Sequence, residues 1–294
     1  MTGTDSPQST QPLAIGGLAL RVLAALVAIE VSLFSLDFFI AHREIVGSRD
    51  LQALFDITHE DTIGTWVSTT QYLALAFTAW LLRLRTRALP GAGGRARGWG
   101  VLALFFAYMS FDDGSRFHER IGSLFGDHAA DIPAQFVAGL AGGLIDWFPS
   151  YNWQLAFFPL FGSAGLFLVV FLGRELRSAA MLQALVFGGL CCWVFAVFLD
   201  FLEGSSEGMS LLQSIFGGSY RATEHIVRAV EETVELFGAT LMLTAFTEHL
   251  SRVSNGWSIR FSASPPVGSN AAATAASRDG HTGVSHEDCL RPAH

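Results

Sequence analysis

Glu224-His-Ile-Val-Arg-Ala-Val-Glu-Glu-Thr-Val-Glu235 runs without a helix breaker into the apolar segment Leu236 to Thr247. That segment holds only about twelve residues, whereas roughly twenty are needed for a helix to cross a bilayer. A spanning helix here must begin near Glu224, and it carries Glu231, Glu232 and Glu235 to membrane depth. At about 100° per residue, Glu224, Arg228, Glu231 and Glu235 share one face, with His225 and Glu232 beside it. An ionisable group at that depth costs roughly 2.5–3.5 kcal/mol on insertion scales and points at a partner, a cavity or a metal. Several carboxylates on neighbouring turns repel one another unless cations or protons stand between them. The stretch reads as one wall of a polar site inside a membrane.

The whole chain agrees with that setting. Of its 294 residues, 51% are hydrophobic, 12% aromatic and only 15% charged, a balance found in membrane proteins. Every basic residue is arginine, and the net charge of -8 with no basic stripe speaks against a nucleic-acid partner. Cys191 and Cys192 are adjacent in an apolar run and Cys289 lies in a polar tail, which suits neither a disulfide framework nor a thiolate metal site. Met1 to Pro12 is polar without a basic n-region, and the apolar run after it exceeds a signal-peptide core, so that run reads as a spanning helix.

The expected fold is therefore an all-α integral membrane protein with six transmembrane helices. They are placed at about Leu13–Ile40, Thr62–Leu82, Gly98–Phe117, Trp153–Leu172, Met181–Phe201 and Glu224–Leu250. This divides the chain into a polar N-terminal tail (1–12), a transmembrane domain (13–251) and a disordered tail (252–294) rich in Ser, Ala, Gly and Pro. Arginines gather after the second span (Arg83, Arg85, Arg87, Arg95, Arg97), after the fourth (Arg174, Arg177) and after the sixth (Arg252, Arg260). With six spans these three places share one side, so both termini are expected in the cytoplasm of a bacterial inner (plasma) membrane. Residues 132–148 are apolar and glycine-rich, and are expected to form an interfacial or re-entrant helix.

The acids and histidines fall on the opposite side. Asp56, His59, Glu60 and Asp61 precede the second span, Asp112, Asp113, His118 and Glu119 end the third, and Asp200 and Glu203 end the fifth. Val101 to Phe111 is too short to cross, so that helix is expected to continue through Asp112 and Asp113. Three half-polar helices can hide their outer halves only against one another. Asp56 and Glu60, four apart, are expected to share a helix face. Asp112, Arg116 and Glu119 have the spacing of a second face and permit an internal ion pair. Glu30 and Asp37, seven apart in the first span, can join the same cavity. Thr65 and Ser68 can bond to neighbouring helices. Asp200 and Glu203 read more weakly, as the start of a loop.

Carboxylates with imidazole form the ligand set for zinc, iron or manganese. The expected ligands of such a divalent metal are Asp56, Glu60, Asp112, His118, Glu119, Glu231 and Glu235. Glu232 and Asp113 are the candidate catalytic acid–base groups.

The blocks Phe55-Asp56…Glu60…Thr65-Trp66…Ser68, Ser110…Asp112-Asp113…His118-Glu119 and Glu231-Glu232…Glu235 resemble those of an uncharacterised group of bacterial polytopic membrane proteins. Those relatives show Asp-Glu where this chain has Asp112-Asp113. The resemblance covers the second to sixth spans and implies a shared architecture and a common site, not a reaction. Glu231-Glu232 is similar to the opening of the membrane-protease motif Glu-Glu-x-x-x-Arg, but Leu236 stands at the arginine position. The histidine pattern of ceramidase-like hydrolases also fails, because only His225 lies near the outer end of the last span. The leading function is metal-activated hydrolysis of a lipid-like substrate at the membrane boundary. A proton- or cation-coupled transporter and a metal-binding sensor or assembly protein remain alternatives. The oligomeric state is not legible in the sequence.

Overall fold

Long apolar runs with few breakers leave the backbone no way to satisfy its hydrogen bonds in lipid except as helices. The computed structural model describes residues 15–59, 61–127 and 149–254, and all regular structure among them is helical. The chain forms α1 (Gly17–Leu36) with a π-helical turn (Asp37–His42), α2 (Arg49–Phe55), α3 (Ile63–Arg87), α4 (Gly93–Ser115) and α5 (Phe117–Asp127). It continues as α6 (Asn152–Glu175), α7 (Ala180–Glu203), α8 (Ser206–Phe216) and α9 (Tyr220–Ser254). Among the described residues, three helices are long and apolar enough to cross a membrane: Gly17–His42, Ala156–Glu175 and Ala180–Glu203. α3, α4 and α9 have 25, 23 and 35 residues, lengths above the roughly twenty that a crossing needs, but they carry polar outer ends. The segment 132–148, Glu60, the expected N-terminal tail (1–12) and residues 255–294 of the expected tail 252–294 lie outside the described residues, whereas residues 252–254 continue α9.

The six long helices alternate in direction, and their contacts define two ends. At one end Arg85 at the close of α3 donates to the Val253 carbonyl of α9 at 2.9 Å. There too Arg95 of α4 grips Glu175 of α6, and the Gly16 amide before α1 donates to Glu248 of α9 at 2.9 Å. The opposite end holds the C-termini of α1, α4 and α7 and the N-termini of α3, α6 and α9. Between the ends the core is aromatic and aliphatic: Tyr72, Leu75 and Leu82 of α3 meet Trp99, Leu102 and Phe106 of α4 and Met242 and Phe246 of α9. Trp99 stands edge-on to both Phe171 and Phe246, with centroids 5.4 and 5.2 Å away.

α7 and α9 approach closely at two glycines. A Cβ on Gly189 would lie 2.7 Å from the Gly238 carbonyl oxygen, and one on Gly238 would lie 2.8 Å from the Trp193 ring. Small residues at such a crossing let the backbones pack closely where lipid supplies no hydrophobic drive.

One expected helix face does not form. α4 ends at Ser115 because Arg116 adopts a left-handed conformation (φ 53°), and α5 then starts in a new direction. Asp112, Arg116 and Glu119 therefore share no face. Arg116 pairs with Glu119, while Asp112 turns to His118. Asp56 is the C-cap of α2 with extended backbone and begins a turn; Glu60, its expected partner on a helix face, lies outside the described residues.

Candidate metal centre

The π-helical turn starts at Asp37, and π-turns interrupt a helix by one extra residue, often at functional sites. Asp37 is 1% exposed. Its Oδ1 accepts from the Ile57 amide at 3.1 Å, and its Oδ2 faces His225 Nε2 of α9 at 3.1 Å. Asp56 comes from the turn after α2. Its Oδ1 accepts from the Thr58 amide and hydroxyl at 3.0 and 2.6 Å and stands 4.0 Å from His225 Nδ1. One ligand atom from each of Asp37, Asp56 and His225 lies within 4.8 Å of the other two. Two carboxylates and an imidazole at that spacing can hold a divalent ion, with ligand bonds of roughly 2.0–2.2 Å for zinc.

Beside this group lies a cavity of about 230 Å³, walled by Phe34, Phe38, Ile226 and Ala229. His42 also lines it and stacks on His225, with ring centroids 5.0 Å apart, and Phe38 stacks on His42 at 5.6 Å. The group is thus polar at one edge and apolar at the other.

The remaining acids form a second group. Asp112 accepts from the His118 amide at 2.9 Å and meets His118 Nδ1 at 2.7 Å. Burial pushes the His118 imidazole down, but the Asp112 carboxylate outweighs it and holds the proton on His118 above the ordinary histidine range. Asp113 is held by the hydroxyls of Ser68 and Thr69 at 2.6 and 2.8 Å, so Ser68 does reach a neighbouring helix. The Tyr72 hydroxyl donates to Glu235 at 2.6 Å. Asp200 accepts from Gln154 at 2.7 Å. Glu203 is bound by Tyr151 and by Arg228, which also reaches Glu224 at 3.3 Å.

Charges tie this second group together across four helices. Glu235 lies in the field of Asp113, His118 and Asp200, and Glu231 in that of Asp200, Glu203, Glu232 and Glu235. Arg116 draws Glu119 into an exposed pair. The expected site residues thus divide. Asp112, Asp113, His118, Glu231, Glu232 and Glu235 belong to one neighbourhood, whereas the contacts of Asp56 run to Thr58, His59 and His225. Glu60 lies outside the described residues.

Sequence reasoning missed His42 and undervalued Asp37, His225, Asp200 and Glu203. A hydrophilic residue at the end of an apolar run, as in Leu36-Asp37-Phe38, was the available signal for Asp37. No spacing rule could pair it with His225, 188 positions away. Between the two groups and the core, Glu30 of α1 is 3% exposed. It accepts from Gln71 of α3 at 3.0 Å and from the Thr240 hydroxyl of α9.

The architecture and this group define the class: an all-helical protein with membrane-length apolar helices and an Asp-Asp-His cluster able to hold a metal ion. Residues 18–250 match a family described as a domain of unknown function (DUF8692), and the chain belongs to that family. Neither curated proteins nor solved structures gave a match.

Proposed function

We propose that the protein is a metal-dependent hydrolase acting on a lipid-like substrate at the outer boundary of the bacterial inner membrane. Six transmembrane helices, α1, α3, α4, α6, α7 and α9, cross it with both chain ends in the cytoplasm, and the acids lie in the extracytoplasmic half. The clustering of arginines at one end of the bundle supports that orientation. A single observation carries the functional reading: Asp37, Asp56 and His225 converge beside an apolar cavity. Zinc, iron or manganese bound there would polarise a water molecule. His42, on the cavity wall, is positioned to accept or return a proton, and the phenylalanines offer an acyl or isoprenoid chain its surroundings.

In this reading the ligands are Asp37, Asp56 and His225. Asp112, Asp113, His118, Glu119, Glu231, Glu232 and Glu235 handle protons around the reaction rather than ligating the ion. His118 is already engaged by Asp112, which leaves it poorly placed to ligate. Elemental analysis of the intact purified protein tests the proposal, together with mass-spectrometric detection of products from mixed phospholipid vesicles. Near-stoichiometric metal and metal-dependent product release are expected. Absence of metal after purification without chelator would overturn the reading.

The Glu30–Gln71–Thr240 cluster favours a second reading, a proton- or cation-coupled transporter, because buried mid-helix carboxylates suit ion relays. Against it, the core from Leu75 and Phe106 to Leu82 and Phe246 is closely packed and apolar. A substrate-dependent ion flux in proteoliposomes would decide for the transporter.

A further inference from the structure

The arginine end carries a cavity that the reading above does not use. It measures about 570 Å³ and is lined by Gly94, Arg95, Phe171, Arg174, Arg177 and Ser178, with Glu175 contributing its floor. The floor acid is already compensated. Glu175 has a side chain only 4% exposed, is gripped through both oxygens by Arg95, and accepts from the Trp99 indole at 3.4 Å. His249 Nε2 stands 3.8 Å away. One carboxylate set against Arg95, Arg174 and Arg177 leaves the lining with an excess of two positive charges. Arg174 and Arg177 are exposed at the rim. Guanidinium groups present rigid forks of donors that match phosphate oxygens.

An apolar track leads away from this rim. Arg174, Val170 and Leu166 recur at four-residue intervals on α6 and so share one helix face. Val170 and Leu166 are 41% and 66% exposed. A ligand with a phosphate at one end and hydrocarbon at the other fits both features at once.

We propose that this cavity binds the phosphate headgroup of an anionic phospholipid of the cytoplasmic leaflet, with an acyl chain lying along Leu166 and Val170. Basic pockets between helices on that side are suited to such headgroups. The recognised chemistry is a phosphate ester, which free phosphate shares.

The test uses the full chain purified in detergent. Binding of phosphatidylglycerol, phosphatidylcholine and inorganic phosphate is measured by native mass spectrometry and by the shift in Tm. The wild-type protein is expected to prefer phosphatidylglycerol over phosphatidylcholine. The double variant R174Q/R177Q is expected to lose that preference by roughly tenfold or more, given what each basic residue contributes near an anionic surface. Both arginines are exposed, so its lipid-free Tm should match the wild type. The control R87Q/R97Q removes equal charge outside the cavity and should leave the preference intact. If millimolar phosphate displaces the lipid with the same dependence on Arg174 and Arg177, the pocket reads the phosphate group itself and free phosphate is an equal ligand. Equal binding of the two lipids by the wild type would overturn the proposal, as would equal loss in the control.

Discussion

The two ends of the bundle treat buried acids in opposite ways. At the arginine end Glu175 meets Arg95 and Glu248 meets Arg252 and the Gly16 amide, so each carboxylate has a full or partial positive charge against it. At the acid end Asp113 rests on hydroxyls, Glu235 on a phenol, Asp200 on an amide and Asp37 on a backbone N–H and an imidazole. Neutral donors orient a carboxylate without cancelling its charge. The first end holds helices together, and the second keeps charge available for an ion or a proton. Two pairs at the acid end depart from this: Asp112 with His118, and Glu203 with Arg228, which clamps α7 to α9.

Substitutions can break this contrast. The largest effect is expected for His225→Ala, which removes a proposed ligand, and Asp37→Asn, which turns another into a neutral amide. Metal content should fall at least as far as the 10–100-fold typical of losing even an outer partner, read by elemental analysis, with the helical circular dichroism unchanged. Unchanged metal content in both would equate the two ends. Next comes Gly238→Val, which forces a side chain against Trp193 and the Gly189 carbonyl. Overpacking of this kind costs about 1–3 kcal/mol or more, and it should lower Tm without altering the ratio of metal to folded protein.

Glu175→Gln leaves the Arg95 guanidinium facing a neutral amide. A loss of about 1–3 kcal/mol in thermal or denaturant unfolding is expected, again with metal retained. The smallest stability effect belongs to Glu235→Gln, which keeps an oxygen for the Tyr72 hydroxyl and removes one of several like charges. Its Tm should stay level or rise, while turnover on lipid substrates falls. A marked drop in Tm would make Glu235 structural and erase the difference between the ends.

The long helices were legible because hydropathy and breakers decide them: the expected segments and observed helices from α1 to α9 differ mainly in their ends. The polar continuation of α4 through Asp113 and of α9 back to about Glu224 followed from length alone; its further start at Tyr220 did not. What escaped were short elements set by tertiary context. α2, α5 and α8 are brief amphipathic pieces, and the left-handed Arg116 has no signature, since glycine is the usual residue there. The site was legible as residue types gathered toward one end of the bundle. Its division was not, because it depends on which face of α9 looks at α1 and which at α7, and a single helix with acids around its circumference does not reveal that.

The π-helical turn carries a consequence for how this site tolerates change. An ordinary helix continued through Asp37–His42 would need one residue fewer, and each residue turns the chain by about 100°. Deleting a residue between Phe38 and Ala41 would remove that surplus, letting the segment rewind as a regular helix with His42 still one turn beyond Asp37. The turn holds one spare residue, so a single-residue deletion inside it should harm the centre less than replacement of Asp37 itself.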